Sequence, residues 1–247
     1  MNQFKRNIES NLNRLSNNPL IKGLWFGGSR ATGYEDELSD TDIVGICESP
    51  EEFFKTLGKL LESIAAVDQV WHVEGSPWPH FHQKFYIFKE GPEFYYLDAG
   101  VFTSTDSEFY REYFNDERHG RPNIVFDPEG ILQRSSQMQS HRESSVLNVE
   151  NFLARFEVMY RTFLKEAQRS KFIDAHLFYM RLLQLYVQML RYEHSPQKHD
   201  FGMRYIYRDL KSFSDRVEAY HKVTSIEQMK GFAQEIHALV FTELRKV

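Results

Sequence analysis

Cysteine is nearly absent from this chain: among 247 residues only Cys47 carries a thiol. One thiol excludes an internal disulfide, so stability must come from a hydrophobic core, and its apolar neighbours Ile43 to Ile46 suit a buried, inert side chain. Long apolar runs are also missing, which excludes a membrane-spanning helix and a membrane partner. No signal-peptide pattern opens the sequence, so a cytoplasmic protein is expected. Blocks of Lys and Arg are lacking, and 30 basic against 35 acidic residues leave a formal net charge of −5. That balance disfavours nucleic acid as a partner and suits a cationic small molecule. No internal repeat or low-complexity segment occurs, which excludes a repeat array.

What the chain has in quantity is aromatic rings, with 21 Phe and 13 Tyr. Its length suits one large domain or two modest ones. Phe4, Ile8, Leu12 and Leu15 recur at helical spacing until Ser16-Asn17-Asn18-Pro19 ends the element. Ser49-Pro50-Glu51-Glu52 opens a second amphipathic helix carrying Phe53, Leu57, Leu60, Leu61 and Ile64. Val67 to Val73 reads as a strand. Phe85 to Phe88 and Phe94 to Phe102 read as a hairpin. Alternation in the last strand puts Tyr95, Leu97, Ala99 and Val101 on one face and Tyr96, Asp98 and Gly100 on the other. Residues 103–145 are polar, with a short helix expected within Asp106 to Asn115 and irregular chain from Gly120 to Ser145. Beyond them the periodicity becomes helical, over about residues 147–169, 172–194, 203–219 and 224–245. The second of these is apolar around much of its surface and suits the centre of a bundle.

The chemistry concentrates in Gly27-Gly28-Ser29-Arg30 and Ser39-Asp40-Thr41-Asp42, set between the apolar runs Leu20 to Phe26 and Ile43 to Cys47. Locally this reads as strand, glycine turn, polar loop, strand. Glycines let backbone approach a ligand closely, and successive amides at such a turn form an anion-binding nest. Ser29 adds a hydroxyl and Arg30 a charge. Asp40 and Asp42, two residues apart, share one face of a strand, where two carboxylates repel unless a cation lies between them. Asp98 is a third carboxylate in an apolar strand. Hard oxygen ligands beside a phosphate nest suit a Mg²⁺-bound triphosphate.

Gly-Ser, ten residues, then Asp-x-Asp resembles the signature of the DNA polymerase beta-like nucleotidyltransferase superfamily. The fuller pattern Gly28-Ser29-Arg30-Ala31…Ser39-Asp40-Thr41-Asp42-Ile43 looks most like the aminoglycoside 6-adenylyltransferases, and Phe85 to Thr103 is similar to their hairpin. The resemblance implies an α+β protein. An N-terminal nucleotidyltransferase domain, residues 1–140, would hold a mixed, mostly antiparallel twisted sheet flanked by helices. An all-helical bundle, residues 141–247, would receive the acceptor. It implies a Mg²⁺-dependent transfer of AMP from ATP to a small-molecule hydroxyl, with an aminoglycoside-like antibiotic as leading acceptor. Asp40, Asp42 and Asp98 would hold two Mg²⁺ ions, and Gly28, Ser29 and Arg30 would contact the phosphates. Lys198 and Arg204, in a loop that departs from the family's commoner Gly-Lys pattern, would lie near the triphosphate. A general base is also required; Asp98, Glu150 and Glu157 are candidates.

Two other readings stand beside this one. The same chemistry could serve a protein or RNA acceptor, as in toxin–antitoxin nucleotidyltransferases, though the long helical half and the acidic charge speak against it. A non-catalytic nucleotide-binding module would have no need for three clustered acids. Trp71, Trp78, Phe81 and Tyr96 are candidates for an acceptor pocket, with core packing the default for most of them. His72, His80 and His82 suit a loop-to-strand entrance better than a transition-metal site.

Overall fold

The computed structural model describes residues 3–75, 78–137 and 147–244. The chain divides into two compact units, residues 1–142 and 143–247. The boundary expected at residues 140 and 141 lies outside the described residues. The fold is α+β, with a mixed sheet in the first unit and helices in the second.

In the first unit, helix α1 (Gln3–Asn11) runs into a 3₁₀ turn and strand β1 (Gly23–Phe26), and α2 (Gly28–Thr32) leads to β2 (Thr41–Ile46). Helix α3 (Pro50–Glu62) precedes β3 (Val67–His72), β4 (Phe81–Phe88) and β5 (Tyr96–Phe102). Helices α4 (Glu108–Tyr113) and α5 (Asp116–His119), strand β6 (Asn123–Phe126) and helix α6 (Ile131–Gln137) follow. The six strands lie in the order β3-β4-β5-β2-β1-β6. β2 and β5 are parallel, and the other pairings are antiparallel. A parallel pair needs a long crossover, which α3 and the β3–β4 hairpin supply.

Local chemistry explains why α3 starts where it does. The Ser49 hydroxyl accepts a hydrogen bond from the Glu52 amide at 3.3 Å, and Pro50 occupies the first turn. The α3 residues Phe53, Leu57 and Leu61 then bury fully beside Ile8, Leu12 and Leu15. They meet Ile43, Leu97, Ala99 and Val101 from one face of the sheet. Each such side chain contributes roughly 1.5–3 kcal/mol on leaving water. Trp25, Val44, Ile46, Phe81 and Phe102 pack on the opposite face with Tyr110, Phe114 and Leu132. The alternation expected in β5 thus sorts its side chains between two cores.

Three expectations about local structure need correction. The glycine turn after β1 continues directly into the short helix α2, whose Ala31 amide donates to the Gly27 carbonyl at 3.1 Å. The segment after Gly120 is not irregular throughout. β6 finds its partner in β1, a pairing invisible locally, and the Asp127 carboxylate caps α6 by accepting from the Ile131 and Gln133 amides at 2.8 and 2.9 Å. Strand β4 begins at Phe81, four residues before the expected start, because Phe81 pairs with Phe102.

The second unit comprises α7 (Val149–Gln168), α8 (Phe172–His194), α9 (Ile206–Asp209), α10 (Ser214–His221) and α11 (Ile226–Leu244). Helix α8 is central: Tyr179, Leu182, Leu183, Tyr186 and Val187 are buried against residues from the neighbouring helices. The single helix expected over residues 203–219 is broken, and the cause lies in α8. The fully buried Arg191 donates through Nε to the Gly202 carbonyl at 2.9 Å and through Nη2 to the Arg204 carbonyl. Those carbonyls are turned away from a helical ladder, and Gly202 and Tyr205 take positive φ values of 55° and 59°.

Candidate active site

Strand register brings two of the candidate carboxylates to neighbouring positions. Asp42 and Asp98 are directly paired Cα partners on the parallel strands β2 and β5. Period two sends both to the face that also carries Val44, Phe81 and Phe102. Asp40 lies two residues before Asp42, outside the strand proper. Tyr96, two residues before Asp98, donates its phenol to Asp40. Partial burial, that hydrogen bond and the charges of Asp40, Asp42 and Asp98 all push the Tyr96 phenol upward, so it stays a donor at any ordinary pH. Gln83, facing Asp98 from β4, donates Nε2 to its two carboxylate oxygens at 2.7 and 2.9 Å.

The glycine turn closes on the same point. Gly28 has φ +52°, and a Cβ there would stand 1.8 Å from Asp42 Oδ2. Only a residue without a side chain lets the turn approach this carboxylate so closely. The Gly27 amide donates to the Asp42 carbonyl at 3.0 Å, which ties the turn to β2.

Arg30, the candidate phosphate contact, is held by two carboxylates. Its guanidinium pairs with Glu9 at 2.7 Å and with Glu35 through Nε and Nη2 at 3.0 and 2.8 Å, and it stacks over the Phe26 ring at 4.1 Å. The Arg30 hydrogen bond, helped by Lys5, holds the Glu35 carboxyl down to about 2 against the opposing effect of burial. Glu9 also accepts from Thr41 Oγ1 at 2.8 Å, and Thr41 Oγ1 in turn accepts from the Tyr95 hydroxyl at 3.0 Å. Lys5 donates to the Ser39 carbonyl at 2.9 Å. Sequence reading found the apolar stripe of α1 and missed these polar residues. Lys5 and Glu9, four apart, are the signal that could have exposed them.

Glu157, Lys198 and Arg204 belong to the second unit, and so does Glu150, exposed in the first turn of α7. Glu157 accepts from Arg161 Nε at 2.6 Å and lies 2.9 Å from His237 Nε2 across α7 and α11. Its neighbours, His237 first and then Arg161, lower its carboxyl below the usual range. Lys198 is ion-paired with Asp209 at 3.0 Å. Arg204 donates to the Tyr205 hydroxyl at 2.7 Å. Of the aromatic candidates, Phe81 is core, and Trp78 stacks on Phe109 at 4.5 Å. Trp71 is 61% exposed and stacks on Phe85, while Tyr96 stays partly open beside Asp98.

Carboxylates beside a glycine turn suit a hard divalent cation in donor type. Among the described residues no three His, Cys, Asp or Glu side chains are grouped so as to hold a metal ion by themselves, so Mg²⁺ bound here would need oxygens of the triphosphate beside one or two carboxylates. No helix among the described residues is long and apolar enough to cross a membrane.

No family model matches the chain, and no curated protein matches it. Among solved structures it is similar to a nucleotidyltransferase-like protein from Exiguobacterium sibiricum, at 10% identity over 98% of this chain and 80% of that one, with a TM-score of 0.35. It is also similar to a proposed nucleotidyltransferase from H. pylori, at 12% identity over 98% of both chains, with a TM-score of 0.30. A likeness this shallow carries no weight for activity, which leaves the geometry of the carboxylates to speak for the chemistry.

Proposed function

We propose that this protein is a nucleotidyltransferase that moves AMP from ATP to a hydroxyl of a small molecule. One observation carries the reading: Asp42 and Asp98 stand at matched register on adjacent parallel strands, with Gly28 pressed against Asp42. Clustered acids are costly for a mere phosphate binder and useful to an enzyme that concentrates cations on a triphosphate. Asp40, Asp42 and Asp98 are the residues that would share Mg²⁺ with the triphosphate's own oxygens, and the ion would supply charge stabilisation at the phosphates. Gly28 and Ser29 would take the terminal phosphates.

In the reaction the acceptor oxygen bonds to the α-phosphorus while the bond from that phosphorus to the bridging oxygen of the β-phosphate breaks. Pyrophosphate leaves with the electron pair, and the hydroxyl proton passes to a carboxylate. Asp98 is the proposed acceptor of that proton because it stands on the strand beside Asp42, with Gln83 fixing its orientation. Glu157 is disfavoured as a base by His237 and Arg161, which stabilise its charged form. The ion pairs of Arg30 and Lys198 favour holding roles for both over phosphate contact. An aminoglycoside-like acceptor fits the acidic net charge and the exposed rings of Trp71 and Tyr96.

The test is pyrophosphate release from ATP with Mg²⁺ across a panel of aminoglycosides and lincosamides, with Asp40→Asn and Asp42→Asn as blanks. Release that depends on one compound and vanishes in both variants supports reaction and acceptor class together. Release without any compound, equal in wild type and variants, overturns the role of the carboxylates. If ATP binds but nothing stimulates release, the antibiotic acceptor is wrong and a protein acceptor becomes the next candidate.

A further inference from the structure

We infer that helix α1 is the positioning element of the candidate site, with Lys5 and Glu9 as positioning residues for the Asp40–Thr41–Asp42 segment. This rests on the nucleotidyltransferase reading of that segment. Side chains alternate along β2, so if Asp40 and Asp42 face the site, Thr41 between them must face away. Thr41 is buried at 2% exposure, and its hydroxyl donates to Glu9. Glu9 therefore grips the one residue whose movement shifts both neighbouring carboxylates.

The same carboxylate holds the other half of the site. Through its second oxygen Glu9 pairs with Arg30, which follows the Gly28-Ser29 turn in α2. Glu9 thus bridges the turn and the acid-bearing strand with one side chain. Lys5, one helical turn earlier and 2% exposed, donates to the Ser39 carbonyl just before Asp40 and pairs with Glu35 at 2.8 Å. Buried charges of this kind persist when they are fully paired, and here the pairing is spent on the two backbone segments that carry the site. Residues that orient ligating carboxylates typically change metal affinity or activity by about 10–100-fold when removed.

The experiment is a titration of the full chain with Mn²⁺, followed by the paramagnetic signal of the free ion. Glu9→Gln and Thr41→Val should each weaken Mn²⁺ binding by about tenfold or more. Thr41→Ser, which keeps the hydroxyl, should rescue it. The double variant should bind more weakly than either single one, since Thr41→Val removes the hydrogen bond to Glu9 and Glu9→Gln the charge paired with Arg30. If Glu9→Gln fails to fold, Thr41→Val is read alone against Thr41→Ser. Wild-type affinity in both single variants overturns the positioning role. Should wild type hold no Mn²⁺, the functional reading falls, and amide exchange at Thr41 and Asp42 decides the positioning by itself. Faster exchange in Glu9→Gln then supports it, and unchanged exchange overturns it.

Discussion

Gly28 and Asp42 occupy space that only one of them can fill: a Cβ on Gly28 would lie 1.8 Å from Asp42 Oδ2. A glycine here is thus set by a carboxylate fourteen residues away as well as by its own φ of +52°. Gly28→Ala should abolish the proposed nucleotidyl transfer and cost about 1–3 kcal/mol of stability through strained backbone and the displaced carboxylate. Asp42→Gly placed on top should recover part of the stability and none of the activity. Denaturant unfolding of the single and double variants checks this; equal stability of Gly28→Ala and wild type would contradict the contact.

Gln83 touches Asp98 through both carboxylate oxygens. Gln83→Leu should lower kcat by about tenfold with little change in the KM for ATP. Gln83→Glu should be worse, because it sets a like charge against Asp98. Steady-state kinetics separate the two, and wild-type kcat in Gln83→Leu would remove the residue from the site.

Glu35 makes stability depend on pH at the acid end. Its carboxyl is lowered in the folded chain from an ordinary value of 4.5 to about 2, chiefly by the Arg30 hydrogen bond. Its contribution is therefore present above pH 4.5 and is lost as the pH falls through about 2. The partly exposed pair limits that contribution to about 1 kcal/mol. Glu35→Gln should flatten the decline between those pH values, as measured by urea unfolding at a series of pH values.

Arg191 is the pin of the second unit. Arg191→Met leaves the Gly202 and Arg204 carbonyls without their donor and Asp209 without one of its cations. Asp209 keeps Lys198 and Arg208, so the cost comes from the two carbonyls, at about 1–3 kcal/mol for each left without a donor. A denaturation midpoint within error of wild type would show that the broken segment after α8 is held by something else.

A smaller effect tests a local rule. Ser49→Ala removes the hydroxyl that accepts from the Glu52 amide and should cost about 1 kcal/mol with no effect on catalysis.

What could be read from the sequence was whatever depends on near neighbours. The start of α3 follows from Ser49-Pro50 and its acids, because capping acts within one turn. The two faces of β5 follow from alternation, because side-chain direction has period two. Asp40, Asp42 and Gly28 could be singled out as a group for the same reason: they crowd into fifteen residues and make chemical sense together. β6 could not, since its strand character comes from pairing with β1 about a hundred residues earlier. Nor could the break at 203–205, which depends on a guanidinium reaching in from α8.

The sequence by itself determined which residues are acids, which are glycines and which runs alternate, and from these came a strand-bearing half, a helical half and the candidate carboxylates, with the mixed sheet implied by the resemblance alone. Only the tertiary structure decided that Asp98 stands at the register of Asp42, that Gln83 and Tyr96 bind its neighbourhood, and that Arg30 turns to Glu9 and Glu35. The physical reason is range. Dihedral preference and periodicity act over a few residues, whereas register and charge pairing are chosen by partners that meet only when the chain has folded.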